Sequence, residues 1–183
     1  MKHRYVIAIP IAVLLSVGPL TAQETPRQNG PVIRSAGAVF VVTEPDFETS
    51  LDMTYRVAFE VAQAATSDTK LNPGLNTVAR FLNMHAQAGV PLEQLQIAVV
   101  VHGPAGKDLL DDLAYRDRLG SDNPNTRLLS ELATVGVELI LCGQTAASRG
   151  LPRDGLAEPV TVALSAMTAL SVLRERGYHV NPF

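Results

Sequence analysis

The sequence predicts an α/β domain of three layers, α/β/α, with helices on both faces of a mostly parallel sheet of about five strands. Two segments, 95–101 and 137–142, are apolar and rich in branched residues, which is typical of strands buried on both faces. Longer segments between and after them carry apolar residues at helical spacing. Strands and helices that alternate through short connections favour a parallel sheet in a single domain.

The first strand and the first helix are marked by ordinary start and stop signals. The segment 55–61 contains tyrosine, phenylalanine and valine and predicts the first strand. Asn72 can cap the helix that follows, Pro73 can occupy its first position, and Gly89 ends it. The apolar face of this helix is predicted to consist of Leu75, Val78, Ala79, Leu82 and Ala86.

The middle of the chain predicts one strand and two helices. After the strand at 95–101 come a loop at 102–106, a helix from about 107 to 119, and a second helix that Gly136 ends. The turn formed by Asn123, Pro124 and Asn125 precedes the second helix. It predicts a capping turn, with a ligand-binding loop as the alternative.

The last part of the chain predicts three more strands. The first, at 137–142, runs into a small-residue helix after Gly143. A further strand at 160–164 leads into a helix at 165–176, which Gly177 ends. The last strand, at 178–180, is short. Arg174 and Arg176 lie in the last turn of the final helix, where positive charge complements the helix dipole.

The first 22 residues have the composition of a secretory signal peptide. Lys2, His3 and Arg4 precede an apolar stretch, 6–17, and Ala22 is a small residue that a signal peptidase accepts. The apolar stretch is too short to span a bilayer comfortably. We therefore expect cleavage after Ala22 and a periplasmic or secreted protein. The remainder is predicted to form an N-terminal arm at 23–50 and one α/β domain at 51–183.

Composition argues against several classes of partner. The formal net charge is −3, and the mature chain is more acidic because Lys2 and Arg4 leave with the signal peptide. The sequence contains no basic patch that would indicate binding to nucleic acid or, once the signal peptide is removed, to a membrane surface. The single cysteine cannot form a disulfide within the chain, and no His or Cys spacing matches a zinc site. We expect neither a metal nor a cofactor.

The single cysteine, Cys142, stands where a predicted strand gives way to a helix. A helix N-terminus beside a thiol favours the thiolate, and the carboxyl edge of a parallel sheet is where such folds bind ligands. The strand before His102 ends in the same way, so on neighbouring strands the two side chains would lie within several Å. The imidazole would then take the thiol proton or hold the thiolate. The alternatives are a buried, unreactive Cys142 and a His102 bonded to a nearby carbonyl.

Four further residues are predicted to bind ligand at this edge. Gly103 and Gly143 follow the two candidate catalytic residues directly. Gln144 is placed to donate a hydrogen bond to an anionic sulfur or a bound ligand, as is Thr145 beside it, and the alternative for both is to cap the helix. Ser165 ends the following strand in a similar way, and its alternative role is a helix N-cap.

Several motifs, taken in order, resemble the exported branch of the DsrE/DsrF-like family over roughly residues 52–183. The resemblance implies a three-layer α/β fold with strand order 4-3-2-1-5. It also implies assembly into hexamers and relay of persulfide sulfur through a cysteine. That cysteine begins a segment of the form Cys-x-x-Ala-x-x-x-Arg-Gly, which Cys142, Ala146, Arg149 and Gly150 match with a small offset. The motifs are Asn72–Leu75, Val100–Pro104, Asn123–Asn125, Gly136–Glu138, Leu141–Gln144, Leu164–Ala166 and Gly177–Tyr178.

The resulting hypothesis is an exported, thiol-dependent carrier or transferase of persulfide sulfur. Cys142 would carry the sulfur, His102 would tune the thiolate, and the partner would be a sulfur donor or acceptor protein or a small thiol. A homo-oligomer, trimer or hexamer, is expected because the family associates and because residues 32–45 form an apolar arm. The alternative is a non-catalytic module that binds a small ligand or serves as a structural oligomer.

Overall fold

Five parallel strands form the sheet of the computed structural model, which describes residues 26–181. The spatial order of the strands is β4-β3-β2-β1-β5. The predicted signal peptide, residues 1–22, lies outside the described residues. The predicted α/β class and the strand order implied by the resemblance are both confirmed. The strands are β1 (Tyr55–Val61), β2 (Leu95–Val101), β3 (Glu138–Cys142), β4 (Thr161–Ala163) and β5 (His179–Asn181); the helices are α1 (Pro73–Gln87), α2 (Asp112–Leu119), α3 (Thr126–Thr134), α4 (Gly143–Arg149) and α5 (Ala166–Glu175).

The two faces of the sheet carry cores of different size. Strands β1 to β4 follow one another across the sheet, and right-handed crossovers keep α1 to α4 on one face. The chain then returns through α5 to the far side of β1, so α5 lies on the other face. The core on the α5 face is the smaller of the two, and most of its residues have small side chains. Its buried residues are Ala58, Ala98, Val100, Ile140, Cys142, Ala166, Ala169 and Leu173.

The helix predicted from about residue 107 begins later, at Asp112. Residues Gly103–Leu109 form a 3-10 helix instead, and Asp111 caps α2 by accepting the N–H of Ala114 at 2.7 Å. The difference comes from the side chain of Asn123. Its amide donates to the carbonyls of Asp108 at 3.0 Å and Leu110 at 2.6 Å, which therefore do not continue a helix.

The turn predicted to cap α3 is buried, and its hydrogen bonds connect three segments of the chain. Asn125 makes no side-chain cap hydrogen bond; its Oδ1 accepts the N–H of Asn72 at 2.8 Å. Asn72 in turn caps α1 and donates to Asp108 Oδ2 at 2.6 Å. Asp108 also binds Lys107 Nζ at 3.1 Å. Because these groups are hydrogen-bonded to one another, the loop that follows His102 is held in one conformation.

Lys107 is the partly exposed member of the polar cluster that Asn72, Asp108 and Asn125 form. Its ammonium group contacts Asp68 at 2.9 Å and the hydroxyl of Tyr115 at 3.2 Å. Burial by itself would lower the pKa of Lys107, but the bonds to Asp68, Tyr115 and Asp108 outweigh it and raise that pKa. Lys107 therefore stays charged and directed towards these partners.

The N-terminal arm is fastened to the outside of the domain. Ile33 is fully buried, and residues 28 and 39 form an antiparallel bridge that closes the loop between them. The Asn83 side chain of α1 makes five hydrogen bonds to the backbone of this loop, at 2.7 to 3.2 Å. The sequence did not predict what the arm packs against. In the structure it packs on α1 and α3 of its own chain.

Glu131 of α3 provides the second fastening. Its Oε2 accepts the N–H of Arg34 at 2.9 Å and both the N–H and hydroxyl of Ser35 at 3.0 Å. Burial by itself would raise the pKa of Glu131, but these hydrogen bonds and the one from Arg127 lower it. The carboxylate is thus charged at neutral pH and able to accept all of these bonds.

Within residues 26–181, none of the helices has the length and apolar character needed to cross a membrane.

Candidate functional site

Cys142 is the last residue of β3, and the carboxyl edge of the sheet presents its sulfur. Its side chain belongs to the core on the α5 face, and 6% of the residue is exposed. The chain turns directly into α4, and the loop from β4 into α5 passes over the same point. An added Cβ on Gly143 would lie 2.5 Å from the carbonyl oxygen of Ala163, so only glycine fits here. The close approach brings the start of α5 against the thiol.

Hydrogen-bond donors from two helix N-termini surround this sulfur. Burial is the largest single influence on the pKa of Cys142 and raises it. The N–H and hydroxyl of Thr145 and the N–H groups of Ala166 and Gln144 outweigh burial and lower the pKa below its ordinary value. These donors gather around the sulfur rather than forming a regular side-chain cap of α4. The arrangement favours a thiolate with little contact with water.

Thr145 is held in a single orientation by the neighbouring loop. Its Oγ1 accepts the N–H of Gly103 at 2.9 Å, which leaves the hydroxyl proton free to donate to Cys142. Gly103 has φ +57°, in the left-handed region, and so turns its N–H towards Thr145. An added Cβ on Gly106 would meet the methyl group of Thr145 at 2.7 Å. Both glycines of the loop are therefore fitted around Thr145, which is itself 7% exposed.

His102 follows β2 at the same edge, with its ring turned to β1. Its Nε2 lies 2.9 Å from Oε1 of Glu60, and both side chains are partly exposed. The register of β2 and β3 pairs Val101 with Leu141, so His102 is level with Cys142 on the adjacent strand. The structure thus brings the two candidate catalytic residues to one edge, while the hydrogen bond recorded for the ring goes to Glu60 rather than to the thiol.

The other predicted binding residues lie around the same turn. Gln144 Nε2 donates to the carbonyl of Leu164 at 3.4 Å, which ties the start of α4 to the loop before α5. Ser165 is the N-cap of α5, because its Oγ accepts the N–H of Thr168 at 3.0 Å. Ser165 therefore has its alternative role, that of a helix N-cap. By capping α5 it positions the N–H of Ala166.

Two contributors to the site were not predicted from the sequence: Ala166 and Glu60. Thr145 was predicted as a donor to the sulfur, but nothing in the sequence reveals the bond from Gly103, 42 positions away, that orients it. Ala166 contributes a backbone N–H, which no side-chain motif reports. Glu60 is the second-last residue of an ordinary strand pattern, and its position beside His102 depends on the pairing of β1 with β2.

Among residues 26–181, no group of three or more His, Cys, Asp or Glu side chains is arranged to hold a metal ion. Cys142 is a free thiol. The polar groups at this edge are backbone N–H groups, hydroxyls, one imidazole and one carboxylate. These groups are suited to stabilising an anion and moving a proton, and they lie at the carboxyl edge of an α/β sheet.

The comparison with protein families identifies the class more closely. The model of the DsrE/DsrF-like family matches residues 38–182. The chain therefore belongs to the DsrE/DsrF-like family. Membership suggests a function of the sulfur-relay type in general. No curated protein sequence gives a significant match.

Solved structures include proteins with the same fold. A protein of unknown function from Methanobacterium thermoautotrophicum is 22% identical, with a TM-score of 0.50, and the match covers 70% of this chain and 99% of that one. The ychN protein from E. coli is 16% identical, with a TM-score of 0.53 and the same two coverages. At these identities the likeness shows the fold alone.

Proposed function

We propose that this protein is an exported carrier or transferase of persulfide sulfur that uses Cys142. The observation that supports this most directly is the environment of the sulfur. N–H groups at the start of both α4 and α5, together with the Thr145 hydroxyl, oppose the effect of burial and lower the pKa of the thiol. A purely structural cysteine needs no such donors.

The proposed reaction is a transfer of sulfane sulfur between thiols. The Cys142 thiolate attacks the outer sulfur of a persulfide, a bond forms between the two sulfur atoms, and the donor's own S–S bond breaks to release a thiolate. The reverse attack by an acceptor thiol empties the carrier. Loading transfers one sulfane sulfur atom to Cys142, and unloading transfers it to the acceptor. Its oxidation state is the same before and after each step, so no external oxidant or reductant is required. The donor and acceptor are a partner protein or a small thiol.

Export is part of the proposal. The basic start, the apolar stretch at 6–17 and Ala22 support cleavage of residues 1–22 and a periplasmic or secreted location. N-terminal sequencing of the protein recovered from the exported fraction tests this, and a mature chain that still begins at Met1 would contradict it.

Sulfur loading tests the function itself. Protein treated with a small hydropersulfide or polysulfide and then desalted should gain the mass of one sulfur atom on Cys142, and excess thiol should remove it. Cys142→Ser is the matched control and should gain nothing. The native protein should also react with iodoacetamide before it unfolds. A thiol that stays unloaded and is alkylated only in denaturant would contradict the proposal.

That contrary result would favour a second candidate, a non-catalytic module. Cys142 is only 6% exposed, and burial is the largest single influence on its pKa. In this case Cys142 would only line the carboxyl edge of the sheet, and the protein would bind a small ligand there or act as a structural oligomer.

We further propose that the protein is a homo-oligomer, a trimer or a hexamer. The end of the arm is apolar and exposed: Phe40 is 48%, Val41 50% and Val42 67% exposed. With Met84 of α1 they line a groove of about 230 Å³. Light scattering at micromolar concentration should therefore report a mass above that of one chain. Val42→Asp should reduce this mass, while Leu113→Asp, at an exposed apolar position on α2, should not.

A further inference from the structure

We propose that Glu60 is a positioning residue that holds His102 ready to move the proton during sulfur transfer at Cys142. The inference rests on the proposed function and adds to it a residue and a role. Glu60, His102 and Cys142 stand at the carboxyl ends of three adjacent strands, β1, β2 and β3. The arrangement is that of a thiol, an imidazole and a carboxylate in sequence across the sheet.

The contact between Glu60 and His102 fixes the state of the ring. Oε1 of Glu60 lies 2.9 Å from Nε2 of His102. An ionised carboxylate only accepts hydrogen bonds, so Nε2 must carry the proton. In a neutral ring Nδ1 is then the unprotonated nitrogen, free to accept a proton from a substrate.

Strand register places all three side chains on one face of the sheet. Glu60 pairs with Val100, and Val100 pairs with Ile140. Aligned residues of parallel strands point to the same face, and so do residues two positions apart. His102 and Cys142 lie two positions beyond Val100 and Ile140, so both share the α5 face with Glu60.

The backbone keeps His102 in this register although β2 has ended. Its N–H donates to the carbonyl of Val61 at 3.0 Å, which continues the pairing of β1 with β2 by one residue. Its backbone is extended, with φ −150°, and the chain bends away only at Gly103. His102 therefore projects from the sheet as a strand residue does, rather than from a loop free to move.

The exposure of the three groups suits a substrate that arrives from solvent. The side chains of His102 and Glu60 are 29% and 41% exposed, whereas Cys142 is nearly buried. Among the described residues, Glu60 is the charged group that contacts the His102 ring. Lys107, which follows in the next segment, is turned to Asp68 and Asp108. A donor can therefore reach the imidazole while its outer sulfur approaches the thiol.

The chemistry balances without another reactant. The Cys142 thiolate attacks the outer sulfur of a hydropersulfide, and the donor's S–S bond breaks with its electron pair passing to the inner sulfur. Nδ1 of His102 takes the proton that the outer sulfur carried and gives it to the departing thiolate. The products are a persulfide anion on Cys142 and a neutral thiol.

Variants of Glu60 distinguish its effect on the orientation of the His102 ring from the effect of its negative charge. Glu60→Ala removes the acceptor, so nitrogen chemical shifts of the His102 ring should change from the Nε2–H tautomer to a mixture, and sulfur transfer to Cys142 should slow about tenfold. Glu60→Gln retains an acceptor oxygen and should keep the tautomer and most of the rate. Glu138→Ala is the matched control, because it removes a carboxylate from the opposite end of the same face, and should change neither. Glu60 is exposed, so these variants should fold normally.

The double variant shows whether Glu60 acts through His102. His102→Ala should slow transfer by about a hundredfold, and adding Glu60→Ala to it should slow transfer no further. An unchanged tautomer or an unchanged rate in Glu60→Ala, or additive losses in the double variant, would overturn the inference and leave the proposed function intact. If the wild-type protein takes up no sulfur, the proposed function fails and this inference fails with it.

Discussion

Replacing Asn83 with alanine is expected to lower the free energy of unfolding by roughly 3 kcal/mol, because one buried side chain fastens the whole arm. Its carbonyl oxygen accepts the N–H groups of Val32 and Ile33, at 3.1 and 2.7 Å. Its amide donates to the carbonyls of Ile33, Ala36 and Gly37, at 2.9 to 3.2 Å. Alanine would leave all of these backbone groups except the carbonyl of Ile33, which also accepts the N–H of Gly30, unpaired beside a fully buried position.

Urea unfolding measures this loss, and Asn29→Ala provides the matched control. Asn29 lies in the same arm, and its amide makes one exposed hydrogen bond, to the carbonyl of Arg34. That variant should change the free energy of unfolding by less than about 0.5 kcal/mol. In Asn83→Ala, limited proteolysis should also cut the arm before the domain. Equal stability of the two variants would show that the arm contributes little to the fold.

Thr145→Val is expected to raise the pKa of Cys142 and to slow its alkylation at neutral pH by at least about fivefold. Valine has nearly the same shape but cannot donate to the sulfur, and a hydrogen bond to a charged group contributes about 1.5–3 kcal/mol. A thiol with a higher pKa is less ionised at any pH below that value, so less of the reactive thiolate is present. The more basic thiolate is a better nucleophile, which offsets part of the loss in rate.

Thiolate absorbance followed against pH measures this change in the folded protein. Thr145→Ser retains the hydroxyl and should remain close to the wild-type curve, although it loses the methyl group that contacts Gly106. The comparison therefore separates the hydroxyl from packing. If the serine and valine variants titrate alike, the backbone N–H groups hold the thiolate and the hydroxyl does not.

Local signals were sufficient for most of the secondary structure. β1 and β2 have the predicted bounds, and α1 begins at Pro73 after its Asn72 cap, as predicted. These signals lie within a few residues of the elements they define, so a single sequence contains them. The helix predicted from residue 107 was partly wrong because Asn123, far along the chain, takes the carbonyls that would have continued it.

The arm illustrates the same limit. Its apolar residues indicated that it must pack on something, and the sequence could not distinguish a neighbouring molecule from its own domain. The deciding contact joins Asn83 to residues about fifty positions earlier. Asparagine inside a helix carries no pattern that predicts such a bond.

The sequence by itself determined the parallel α/β fold and the position of Cys142 and His102 at strand ends, because hydrophobic periodicity and turn residues are local. It did not determine what surrounds the sulfur or the imidazole. Ala166 and Glu60 reach the site only because strand order and the return through α5 bring distant segments together. Thr145 is local to Cys142, but the bond that orients it comes from Gly103 in a distant loop. The pKa of a thiol depends on burial and on hydrogen-bond donors within a few Å, and here the burial and the donor from α5 are decided by tertiary structure.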